Sequence, residues 1–198
     1  MKRKRTFTVM AILLAVLVLG IGYAAVSSVT LNLSGTANIS SNFDFDVKYD
    51  SSTAISYSTT DTTTDSQQPA ETHPVVTGQY SGDHDATMTV WLDKDHTEAY
   101  AVYKVKNTSD KINAVLSTSV SPVGETGKSE YFTEPTAEYF TDSACTDALG
   151  SAELPHGQSA YLKVTIGLAK LPLNDVTGGT FSITTTAEPV ETDLNPAP

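Results

Sequence analysis

Alternation with a period of two residues dominates this chain. In FDFDVKYD, Phe43, Phe45, Val47 and Tyr49 fall on one side, and Asp44, Asp46, Lys48 and Asp50 on the other. Successive side chains of a strand point to opposite faces, so this segment predicts a strand with one buried and one wet face. The pattern recurs along the chain. Met88, Val90 and Leu92 alternate with Thr87, Thr89 and Trp91, and Ala101, Tyr103 and Val105 with Tyr100, Val102, Lys104 and Lys106. Ile112, Ala114, Leu116 and Val120 share a face, as do Ala160, Leu162, Val164, Ile166 and Leu168, and then Phe181, Ile183 and Thr185. Turn chemistry separates these runs at Asn107-Thr108-Ser109-Asp110, at Pro122 with Gly124 and Gly127, at Pro155-His156-Gly157 and at Gly178-Gly179. No window beyond the N-terminal segment sustains a 3.6-residue apolar period. A parallel α/β fold, which needs helices between its strands, is therefore excluded. The expectation is all-β: a single antiparallel β-sandwich, jelly-roll or Ig-like, after an N-terminal apolar helix.

That helix is read from Phe7–Val26, 20 residues without a charge behind the basic start MKRKR. Such a run is long enough to cross a bilayer, with the cations on the cytoplasmic side and the rest of the chain outside. It also has the layout of a cleaved signal peptide. Small residues Gly22 and Ala24 stand at the −3 and −1 positions of a cut between Ala24 and Ala25. Residues 1–26 are thus a signal peptide or single-pass anchor, and residues 27–187 a β-sandwich ectodomain exposed outside the cell or at its surface. Contact with the membrane runs through the N-terminal segment before cleavage. Ser51–Pro74 is rich in Ser, Thr and Asp and poor in bulky apolar residues, which predicts a flexible surface loop, with a short strand near 54–58. Residues 188–198 read as a disordered tail.

Charge narrows the function classes. MKRKR holds four of the twelve Lys and Arg residues, leaving 8 cations against 23 anions and no arginine after it. Nucleic acids are bound by cations that displace counterions, so a nucleic-acid partner is excluded. Cys145 is the only cysteine, which rules out an intramolecular disulfide and leaves an inert thiol as the plain reading. The fold must then be held by its own core.

No catalytic constellation stands out, and the chain reads as a non-enzyme without a cofactor. The histidines are His73, His84, His96 and His156, with no HExxH pair. His84 and Asp85, in GDHDATM, and Asp93 and His96, in DKDHTE, are weak candidates for a divalent-cation site; polar turns at the two ends of one strand are the plainer reading. GQYSG (78–82) sets its serine at the fourth position, unlike a nucleophile elbow. Trp91 and Tyr100 alternate to the wet side and mark either a surface for sugar or protein ligands or a second buried face. Sequons begin at Asn32, Asn38 and Asn107.

The layout resembles the camelysin/TasA group of exported matrix proteins, which are processed by a W-type signal peptidase. The resemblance rests on the basic start, the GIGYAA boundary at Gly20–Ala25, and TLNLSGTANIS. Further along it rests on VKNTSDKINAVL (105–116), LPHGQSAYLKVTI (154–166) and the final GTFSITTTAEP. AVSSVT after the cut departs from the family pattern. The resemblance implies a matrix or biofilm subunit that assembles into fibres by strand exchange, with itself or other surface proteins as partners. Val29, Leu31 and Leu33 alternate with Thr30, Asn32 and Ser34 and suit a donor strand. The same strand also suits pairing within its own sandwich.

Overall fold

A computed structural model describes residues 44–65, 71–124, 130–171 and 176–190. Phe7–Val26, the Ala24–Ala25 boundary and the strand through Val29, Leu31 and Leu33 lie outside these residues. The described chain is all-β and antiparallel, with no helix. Its strands are β1 (Val47–Tyr49), β2 (Ser56–Tyr57), β3 (Thr62–Asp65), β4 (Glu71–Pro74), β5 (Val76–Tyr80) and β6 (Asp85–Asp93). There follow β7 (Glu98–Asn107), β8 (Asn113–Pro122), β9 (Thr136–Phe140), β10 (Glu153–Leu154), β11 (Ser159–Gly167) and β12 (Val176–Val190).

One sheet has the order β1-β7-β11-β9, with β2 also pairing β7; a second has the order β10-β8-β12-β6-β5. The two faces meet in a single core. Met88, Val90 and Leu92 of β6, with Phe181 and Ile183 of β12, pack with Ala101, Tyr103 and Val105 of β7 and Leu162, Val164 and Ile166 of β11. All eleven are nearly or fully buried, and each belongs to an alternating run of the sequence. Burying a side chain of the Val, Leu, Ile, Met or Phe kind stabilises by about 1.5–3 kcal/mol, which lets the fold stand without a disulfide.

Hydrogen bonds cross the interior as well. The Tyr103 hydroxyl donates to the Thr87 carbonyl at 2.9 Å, joining β7 to β6. Tyr49 bonds Thr185 Oγ1 at 2.8 Å, Thr185 meets Thr118 at 3.3 Å, and Thr118 bonds the Tyr139 hydroxyl. This chain of hydroxyls satisfies four groups that would otherwise be buried at a cost. Burial pushes the Tyr49, Tyr103 and Tyr139 phenols up from their ordinary range. Asn107 is fully buried. Its Nδ2 donates to the carbonyls of Ile112 and Leu154, and its Oδ1 accepts from the Ser109 amide. It ties the β7–β8 turn to the end of β10.

The expected short strand near 54–58 is present as β2. Two boundaries differ: the rest of Ser51–Pro74, expected as a loop, holds Thr62–Asp65 paired with Glu71–Pro74 as a hairpin of its own. The β-branched threonines and a side of Thr63 that is 2 % exposed give this segment strand character despite its polar composition. The last strand also runs past residue 187 to Val190, with Val190 opposite Asn113 and Pro189 opposite Ala114. Proline is tolerated there because its nitrogen faces the side where β6, whose pairing ends at Thr184↔Asp85, no longer reaches.

Candidate functional site: the sheet edges

Strand addition acts on main-chain groups at sheet edges, and the registers reveal which edges are free. Along β5 and β6, Trp91 donates to the Val75 carbonyl and Ser81 to the Asp85 carbonyl. Odd-numbered residues of β5 therefore bond to β6, and Val76, Gly78 and Tyr80 turn their amides and carbonyls outward. The middle of that edge is occupied. Gly78 donates to the Tyr57 hydroxyl and its carbonyl accepts from the same hydroxyl, each at 3.1 Å. Tyr103 lies beneath, and a Cβ on Gly78 would come within 2.7 Å of its hydroxyl, so only glycine lets the strand sit between the two phenols. A shallow groove lined by Ala54, Ile55, Tyr57, Gly78 and Tyr80 marks this closed margin.

On β9, the same parity argument turns Ala137 and Tyr139 outward. The Tyr139 carbonyl is taken by the Leu149 amide, and Thr141 donates to Asp147. The 141–149 loop thus covers one end of the β9 edge.

The edge of β8 differs. Leu116 donates to the Ala152 carbonyl, while Val123, just past β8 and of opposite parity, donates to the Thr180 carbonyl of β12. The main-chain groups of Ala114, Leu116, Thr118, Val120 and Pro122 consequently face away from β12. Strand β10 pairs only with Ala114 and Val115. Among the described residues no strand pairs with β8 from Thr118 onward on that side. Pro122, which has no amide hydrogen, falls on this edge, where no ladder bond is lost. Edges are ordinarily guarded by charges, bulges or covering loops. Ser117–Pro122 reads STSVSP and carries no charge.

The residues singled out from sequence separate across the fold. His84 and Asp85 stand at the start of β6 and Asp93 and His96 at its far end. Among the described residues no group of three His, Cys, Asp or Glu side chains gathers as a metal site. At the far end, Asp93 Oδ1 accepts from the Asp95 and His96 amides and lies 3.0 Å from His96 Nδ1. Burial raises the Asp93 carboxyl, but the His96 and Asp95 amides outweigh it and the net direction is down. GQYSG forms the end of β5 and the turn into β6, and His156 sits on an exposed turn bonded to Asn113. Burial pushes the Cys145 thiol up, away from the reactive thiolate. The Asn107 amide already donates twice inside the fold, so that sequon is closed.

Trp91 and Tyr100 both lie on outer faces, and neither is bare. The Trp91 indole lies flat over Gly178, where a Cβ would approach its ring to 2.7 Å. Its other face stacks on His73, with ring centroids 3.7 Å apart and planes 6° off parallel. The Lys163 ammonium sits 4.3 Å from the Tyr100 ring centroid. Sequence reasoning missed the Tyr57 plug and the His73–Trp91 stack, since both join residues distant in the chain. Comparison with models of known families, with curated proteins and with solved structures gives no match.

Proposed function

We propose that this chain is an exported cell-surface or extracellular-matrix structural protein that assembles by strand addition at the β8 edge. The observation that carries this reading is the uncharged run Thr118–Pro122, whose outer side no strand among the described residues pairs, while the β5 edge is plugged at its middle and the β9 edge covered at one end. An extended segment laid there would gain main-chain bonds from Thr118 and Val120. The segment through Val29, Leu31 and Leu33 supplies the matching chemistry: residues 27–43 hold no charged side chain. A neutral strand meeting a neutral edge avoids the repulsion that the acidic bodies of two copies otherwise exert.

The finer architecture we propose is a jelly-roll β-sandwich. In its support, β6-β12-β8-β10 faces β7-β11-β9, and the isolated Phe140↔Ala148 bridge continues the second series past β9. From β6 to β12 the chain passes between these series in the order of two nested Greek keys. The resemblance to camelysin/TasA-type proteins points the same way, as does the N-terminal segment with its Ala24–Ala25 boundary. The alternative, a surface module for carbohydrate or protein ligands built on Trp91 and Tyr100, is disfavoured because His73 and Lys163 occupy those ring faces.

The test is to collect the exported protein, define its N-terminus by mass spectrometry, and follow its size with concentration. The reading expects a start at Ala25 and growth into larger species. A retained N-terminal segment with a monomer at every concentration overturns it.

A further inference from the structure

The outer face of the second sheet is built from short hydroxyl side chains set in rows. Along β6, Thr87 and Thr89 alternate with the buried Ala86, Met88 and Val90. Along β12, Thr180, Ser182, Thr184 and Thr186 alternate with the buried Phe181, Ile183 and Thr185. The registers align these positions across strands. Thr77 of β5, Thr89 and Thr180 form one row, and Gln79, Thr87, Ser182 and Ser121 of β8 the next. Asp85, Thr184 and Ser119 form a third, and Thr186 with Ser117 a fourth. Rows on one face of a sheet repeat about every 7 Å along the strand, and side chains this short keep the face low in relief.

Two properties set this face apart. Asp85, at the first position of β6, is the only charged side chain in the four rows, and it accepts from Thr184 Oγ1 at 2.8 Å. On the outer face of the first sheet, by contrast, Lys104, Lys106, Lys163, Glu98 and Glu138 turn outward from β7, β11 and β9. Past MKRKR the chain holds 8 cations and 23 anions, so two copies repel wherever their acids meet. The hydroxyl face is where they approach at the least electrostatic cost. Its hydroxyls are also partly satisfied within the sheet. Thr89 bonds Thr180 Oγ1 at 3.0 Å, and Thr186 Oγ1 donates to the Ser117 carbonyl at 3.4 Å. A hydroxyl that keeps its partner loses little when water leaves, and each threonine methyl adds apolar area to bury.

We infer that this hydroxyl face is a lateral contact surface between copies of the chain, through which assemblies built at the β8 edge pack side by side. The inference rests on the strand-addition reading. A strand added to β8 lies in the plane of the sheet and leaves the face free. The face meets the same face of another copy, so any substitution on it stands on both sides of the contact. One pair of faces holds weakly, because short polar side chains bury little apolar area. Copies arrayed along a fibre present many faces at once, and the linked contacts multiply. Single chains therefore stay apart while fibres bundle.

The test is electron microscopy of fibres grown from the chain beginning at Ala25, with bundle width as the readout. Fibres of the unaltered chain should lie in bundles. The bundles should widen as salt rises from about 0.01 to 0.15 M, which shortens the screening length from about 30 to 8 Å. Ser182→Asp, which sets like charges against each other at the centre of the contact, should leave fibres of the same length lying singly. Gln79→Glu keeps the side chain's shape and should narrow the bundles in the same direction. Thr165→Asp adds the same charge to the outer face of the first sheet and should leave the bundles intact. Single fibres in the unaltered chain, full bundles in Ser182→Asp, or equal loss in Thr165→Asp would each overturn the lateral contact while strand addition stands. No fibres at all in the unaltered chain would overturn strand addition, and the lateral contact with it.

Discussion

The hydroxyl of Tyr57 stands 3.1 Å from both the amide nitrogen and the carbonyl oxygen of Gly78, closing the edge of β5 at its midpoint. One phenol from the first sheet thus does for the second sheet's edge what a neighbouring strand would do. Among the described residues the outer side of β8 from Thr118 onward has no such guard, so the two edges of this sheet differ toward an incoming strand.

Replacing Tyr57 by Phe keeps the ring and removes both bonds. We expect a stability loss of about 1–2 kcal/mol in urea unfolding, since two main-chain groups lose their partner at a half-buried position. We also expect more self-association, because a second edge opens. A variant as stable as the original and unchanged in sedimentation would show that the hydroxyl guards nothing.

Gly178→Ala sets a methyl within 3 Å of the Trp91 ring. Overpacking of this kind costs about 1–3 kcal/mol. The indole must tilt, so the near-ultraviolet circular dichroism of Trp91 should change along with the melting temperature. Trp91→Leu in the same background should recover most of the loss.

The hydroxyl chain from Tyr49 to Tyr139 passes through Thr185 at its centre. Thr185→Val has nearly the same shape and severs the links to Tyr49 and Thr118, with an expected cost of about 2 kcal/mol. In a double-mutant cycle, Thr185→Val and Tyr49→Phe should be non-additive, because both remove one shared bond. Simple additivity in denaturant unfolding would contradict the chain.

Asp50 accepts from Ser52, from the Lys104 ammonium at 2.9 Å and from Thr53. The Ser52 and Lys104 hydrogen bonds hold its carboxyl well below the usual carboxylate range. A folded pKa below the unfolded one means that the contribution is present above the unfolded value, about 3.9, and lost as pH falls beneath it. Melting temperature should therefore drop below about pH 4. Asp50→Asn should begin lower at neutral pH and fall less steeply in acid.

The core was legible in sequence because burial follows the two-residue period. Met88, Val90, Leu92, Ala160, Leu162, Val164 and Ile166 are all fully buried, as alternation required. Ile112 and Val120 share the predicted face but are only half-buried, since β8 runs to the margin of the core. The β3–β4 hairpin escaped notice because its docking uses a ring stack and ion pairs in place of apolar side chains. The edges escaped for a different reason. Which amides face outward depends on partner register, and nothing local to STSVSP encodes that. Its lack of charge was visible, but its position at an edge was not.

Val120→Pro tests the central claim most directly. It removes an amide that points only toward the open edge, leaving the bonds to β12 in place, and sets a ring in the path of an added strand. In sedimentation velocity of the chain beginning at Ala25 across a concentration series, the account predicts that the unaltered protein forms growing assemblies. Val120→Pro should stay monomeric with its melting temperature nearly unchanged. Equal assembly by the two, or a monomer in both at every concentration, would contradict strand addition at β8.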